Sequence, residues 1–203
     1  MGGGCLHEDP DCTRDCCKPN DNSLGSKFRF TTKDVTVRGK GRVVRASYLA
    51  ENSKFETDII KYMEKKETSD VPDRVVDMLV EFINHEGYRN EDILDEVTLC
   101  ILANAVGVKS ALENAVGRLK KLECGIRDCH ELTSIVATIM LSSKVDSKVK
   151  SWLKEYLEKG LNFDELRRSL KYVELIGCHP QIDIELLQML GQIPEKKLPY
   201  RVL

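Results

Sequence analysis

Between Val75 and Ile83 the apolar residues Val75, Val76, Met78, Leu79, Phe82 and Ile83 fall at i, i+1, i+3, i+4, i+7 and i+8. That spacing is the wide buried face of a helix. A stripe this broad has to be covered from more than one direction, so the neighbouring segments must supply the walls. Pro72 stands where such a helix opens, and Gly87 is placed to stop it.

Downstream, a second apolar stretch over residues 93–106 ends at Gly107, a residue suited to the left-handed position after a helix. Ser110 and Glu113 then have the spacing of a capping box, with Ala111, Leu112, Ala115, Val116 and Leu119 as the stripe behind it. Two helices joined by "GVKS" predict a tight helical hairpin. Upstream, "DVTVRGKGRVVRA" alternates and contains Gly39 and Gly41, which predicts two strands joined by a tight turn. Leu49, Phe55, Ile59, Ile60 and Met63 follow as one or two short helices. Beyond Leu122 there are three more helical stripes. The first is Leu132, Ile135, Val136, Ile139 and Met140; the second is Val145, Val149, Trp152, Leu153, Tyr156 and Leu157. The third is Leu166, Leu170, Val173 and Ile176, with Asn162 as N-cap and Glu165 three residues on. Pro180 opens a last helix through Leu190. No internal repeat is present. The expectation is an α+β chain: a polar, Cys-rich flexible tail over 1–26, a small sheet flanked by helices over 27–122, an all-α region over 123–194, and an extended tail over 195–203.

With 203 residues, 41% of them hydrophobic, the chain can bury the core of one domain or two small ones. Lys and Arg number 31 against 33 Asp and Glu, interleaved along the helices, so no nucleic-acid surface is expected. No apolar run reaches the roughly 18 residues of a membrane span, and no basic-then-apolar leader is seen. The expected setting is cytoplasmic or nuclear, with reduced cysteines. Cys100, Cys124, Cys129 and Cys178 sit among apolar residues and read as small core hydrophobes. Cys5, Cys12, Cys16 and Cys17 crowd the first seventeen residues beside His7. Sulfur and imidazole suit zinc, although the spacing is that of no known finger. Gly2 and Cys5 fit a doubly acylated N-terminus, but Leu6 stands where that pattern has Ser or Thr. A metal-free tail, a zinc site at Cys5, His7, Cys12, Cys16 and Cys17, and lipidation are the three readings.

Catalysis is not expected. His7, His85, His130 and His179 are far apart, and none lies in a nucleophile elbow, a Gly-rich phosphate loop or a His-Glu-x-x-His helix. Cys129-His130 and Cys178-His179 are thiol-imidazole neighbours, yet adjacent helical residues point about 100° apart. Only a pairing across space would give either thiol a base.

The order of elements over residues 28–122 resembles a BTB (POZ) domain. Asp34-Val35 opens the strand, and Ala46-Ser47, Leu49-Ala50, Ser53 and Phe55 follow at the family's spacing. Phe82-Ile83-Asn84-His85-Glu86-Gly87 stands for the family's Phe-Ile-Tyr-Thr-Gly phrase, and residues 103–112 for its Ala-x-x-Leu-x-Val-x-x-Leu hairpin. Ser47 replaces the usual His, about two residues are missing before Leu49, and the link over 65–71 is short, so the resemblance is to a divergent member. The later helices are similar to a BACK or 3-box extension. The resemblance implies that the 75–83 helix is central, between the sheet and its neighbouring helices. It also implies a protein-protein adaptor, in its concrete form a substrate adaptor of a cullin-based ubiquitin ligase. Tyr62-Met63-Glu64 then falls at the family's hydrophobic-x-Glu cullin contact. The same pattern recurs at Leu79-Val80-Glu81, and Tyr62 also reads as the last core residue of its helix. Only Phe28 and Phe30 stand where the family exchanges a strand and helix, which implies a weak homodimer or a monomer. The alternatives are an assembly module without a ligase role and a metal-binding regulator using the cysteine tail.

Overall fold

The computed structural model describes residues 31–65, 71–159 and 162–193. The tails expected over 1–26 and 195–203 lie outside these residues. Strand β1 (Thr32–Val37) pairs antiparallel with β2 (Lys40–Arg45), in register from Thr32↔Arg45 to Val37↔Lys40. Arg38 and Gly39 both take positive φ, 51° and 74°. That is the mirror-image two-residue turn whose twist matches the strands. Glycine adopts it freely, whereas arginine does so at a cost. Arg38 also reaches across to the carbonyls of Met63 (3.2 Å) and Val71 (2.7 Å), which offsets that cost. Alternation then turns Val35, Val37 and Val44 into the core.

Helices α1 (Ala46–Glu51), α2 (Phe55–Met63) and α3 (Asp73–His85) follow, then α4 (Ile93–Ala105) and α5 (Lys109–Leu122). Helix α3 packs on β2, α4 and α5, and buries Val75, Val76, Met78, Leu79, Val80, Phe82 and Ile83. Each such side chain contributes about 1.5–3 kcal/mol of apolar burial. Arg74, Asp77 and Glu81 keep the remaining face in water. The helix ends differently from expectation. The left-handed residue is Glu86, at φ 59°, and Gly87 has no positive φ.

Helix α4 is capped by Asp92, whose carboxylate accepts from Leu94 N (2.9 Å) and Asp95 N (3.1 Å). At its other end Gly107 is left-handed, as expected, with Val108 N bonded to the Ala103 carbonyl and Gly107 N to the Asn104 carbonyl. This Schellman geometry delivers the chain directly into α5. As a result α5 starts at Lys109, with Val108 at its N-cap and no side-chain cap. The capping box expected from Ser110 and Glu113 does not form, because Ser110 is already inside the first turn.

A turn of 3₁₀ helix (Glu123–Gly125) leads to α6 (Cys129–Leu141), α7 (Ser147–Glu158), α8 (Asn162–Arg168), α9 (Leu170–Cys178) and α10 (Gln181–Met189). Helix α6 packs on α4 and α7 on α5, so the later helices continue the same apolar core; α8, α9 and α10 pack on α6 or its neighbours. The expected single stripe Leu166-Leu170-Val173-Ile176 is broken. Ser169 accepts from Tyr172 N (3.1 Å) and starts a new helix. That change of phase buries Phe163, Leu166 and Tyr172, and leaves Leu170 81% exposed. The cysteine expectation also needs correction: Cys100 is in the core, but Cys124 and Cys178 are exposed and Cys129 is half-buried. The chain is thus a mostly helical α+β fold, with this two-stranded sheet as the sheet among the described residues. No helix among them is long and apolar enough to cross a membrane.

Candidate functional site

The proposed zinc ligands Cys5, His7, Cys12, Cys16 and Cys17 lie outside the described residues. Among those described, no group of three or more His, Cys, Asp or Glu side chains is placed to hold a metal ion. No hydrogen bond among them joins a thiol to a histidine, and the His130 ring meets Lys171 instead, Nδ1 to Nζ at 3.0 Å.

Tyr62-Met63-Glu64 is the end of α2. Tyr62 and Met63 are buried, and Glu64 is the exposed C-cap whose N–H donates to the Ile60 and Tyr62 carbonyls. Arg38 clamps this end through the Met63 carbonyl. Burial also pushes the Tyr62 hydroxyl above its ordinary pKa. Of the three side chains, Glu64 alone is free to meet a partner without unpacking the core.

A polar cluster that the sequence did not reveal lies between α4 and α5. Glu96 is fully buried on α4, and its carboxylate accepts from the Tyr88 hydroxyl, from Asn90 Nδ2 (2.8 Å) and from Arg118 Nε (3.3 Å). The Arg118 guanidinium also lies 4.7 Å from the Tyr88 ring centroid and donates to the Asn90 carbonyl (2.6 Å). Burial first, and the bond to Glu96 second, push the Tyr88 hydroxyl upward. Burial does the same to the Cys100 thiol one turn away, which keeps it protonated and unreactive. A carboxylate this enclosed and this fully partnered ties the 87–92 segment and α5 to α4. Its role is structural.

Asn84, at the end of α3, does the work of a third strand. Its side chain accepts from Arg45 N (2.8 Å) and donates to the Val43 carbonyl (2.8 Å), closing that stretch of the β2 edge. Beside it opens a cleft of about 420 Å³. The end of β2 and α1 supply Arg45 and Tyr48, the end of α3 supplies Phe82, Ile83 and Glu86, and the start of α5 supplies Val108, Ser110 and Asn114. Arg45 Nε is buried with no hydrogen-bond partner, and its guanidinium makes no ion pair among the described residues. Burial pushes the Tyr48 hydroxyl up to about 12, so it is a neutral wall at physiological pH. No sequence signal marks these residues as a site. They are drawn from positions 45 to 114, and no spacing rule connects them. A second exposed feature is the outer face of α9, where Leu170 and Val173 stand free at i and i+3.

No protein-family model, curated protein or solved structure matches the chain.

Proposed function

We propose that the chain is a divergent BTB-type protein-interaction module, with a BACK-like helical extension after Leu122. The observation that carries this reading is the packing of α3 on β2, α4 and α5, which together bury its apolar face. A central helix between a small sheet and neighbouring helices is what the BTB resemblance implies, and these contacts support that reading. The extension supports an adaptor role, because it continues the core and presents Leu170 and Val173 to a partner. Apolar side chains that are exposed in a row favour protein contact over solvent. In its concrete form the module links a ubiquitination substrate to a cullin, and Glu64 is the group of the Tyr62-Met63-Glu64 tripeptide that reaches the cullin directly.

The test is affinity capture of purified cullin N-terminal regions by the full chain, with light scattering at low micromolar concentration. The adaptor reading expects cullin capture by a monomer or weak dimer. Self-association without cullin capture would leave the plain assembly module. A monomer that captures neither itself nor any cullin refutes the BTB-type reading.

A further inference from the structure

The cleft beside Asn84 combines three features that belong together chemically. Arg45, half-buried, lines it; its Nε is enclosed with no acceptor, and no carboxylate among the described residues pairs with its guanidinium. Glu86, the acid of the wall, forms no ion pair with it. The first turn of α5, fourteen residues long, faces the same space at Ser110 and has no side-chain cap. The Ser110 N–H, near the helix start, has no intrahelical acceptor and lies at the positive end of the helix dipole. Around these donors the wall is apolar and aromatic, with Phe82 and the neutral Tyr48, and Asn114 adds an amide one turn beyond Ser110.

We propose that this cleft binds a carboxylate carried on a short apolar group, the oxygens taken by the Arg45 guanidinium and the start of α5, the apolar group by Tyr48 and Phe82. A guanidinium and a carboxylate form two parallel charge-assisted hydrogen bonds, stronger than neutral ones. A neutral isostere cannot make them. The volume accommodates one such group, and the site is independent of whether the chain binds a cullin.

The experiment is an amide NMR titration of the full chain with phenylacetate and with phenylacetamide. Phenylacetate should give a saturable shift at Ser110 and Asn114, and phenylacetamide should bind at least about tenfold more weakly. Arg45→Met, which keeps the aliphatic stem, should weaken phenylacetate by at least about tenfold without lowering the melting temperature, since the lost Nε had no partner. Ser110→Asp places a carboxylate in the first helical turn, where it is favourable for the helix, and should also block binding. Titration of Gly-Gly-Phe with a free or an amidated C-terminus distinguishes the source. Tighter binding of the free-ended peptide than of phenylacetate assigns the cleft to a protein chain end, and the reverse assigns it to a free acid. Equal shifts with phenylacetamide, undiminished binding by Arg45→Met and by Ser110→Asp, or no saturation by about 10 mM overturns the proposal.

Discussion

Replacing Tyr62 separates two roles that the sequence left open. The ring is 8% exposed, in the last turn of α2, a helix that packs on β1 and α4. Truncating a buried aromatic to alanine leaves a cavity and costs about 3–5 kcal/mol. In a folded unit of this size, each kcal/mol moves the melting temperature by about 2–4 °C. Tyr62→Ala should therefore melt about 6–20 °C below the parent chain, followed by circular dichroism at 222 nm. Typical stability is about 5–15 kcal/mol, so the variant should remain largely folded in the cold. Cullin capture is then compared at about 10 °C. If Tyr62 is a core residue, capture by the folded variant matches the parent, whereas Glu64→Ala weakens it. A loss of less than about 2 °C would refute the core reading and return Tyr62 to the role of an interface anchor, whose truncation costs on the order of 2 kcal/mol of binding.

We predict three further outcomes. Glu96→Ala should destabilise by about 3–5 kcal/mol in urea unfolding, because it leaves the Arg118 charge and the Tyr88 hydroxyl without their partner; a change under about 1 kcal/mol would mean that water replaces the carboxylate. Alkaline titration tests the tyrosines. Burial raises Tyr48, Tyr62, Tyr88, Tyr156 and Tyr172 above their ordinary value of 10.0, so the folded state holds protons that the unfolded chain releases. Stability should be unaffected below pH about 10 and fall as pH rises beyond it, with phenolate absorbance at 295 nm rising together with the loss of helicity; full ionisation near pH 10 in a still-helical protein would contradict this. The break at Ser169 predicts opposite results for two leucines of the expected stripe. Leu166→Ala should cost about 2–5 kcal/mol, and Leu170→Asp should change stability by no more than about 0.5 kcal/mol; equal costs would restore the single helix.

Much of the fold was legible from short-range spacing. Val75 to Ile83, the two strands around Gly39, and Gly107 between α4 and α5 each carry their signal within a few residues, since helical and strand periods and turn conformations are local properties. The caps were only partly legible. Asp92, Asp128, Asp146 and Ser169 accept first-turn N–H groups, whereas Ser110, which has the better capping-box spacing, does not. Its helix starts two residues early, with Val108 at the N-cap, because the preceding Schellman bonds have already set Val108. The Leu166 to Ile176 stripe failed for a related reason. A period fits several phases, and the phase at Ser169 is chosen by burying Tyr172, whose hydroxyl bonds Asp183 at 2.9 Å.

The sequence by itself determined where the two strands and most of the helices form, and that a broad-faced helix had to be enclosed, because those outcomes follow from near neighbours along the chain. The tertiary structure alone decided that Asn84 closes an edge 41 residues away at Val43, that Glu96 collects Tyr88, Asn90 and Arg118, and that the buried Arg45 Nε has no hydrogen-bond partner among the described residues. Burial and hydrogen bonding at such distances depend on how elements pack, and chain spacing does not encode that.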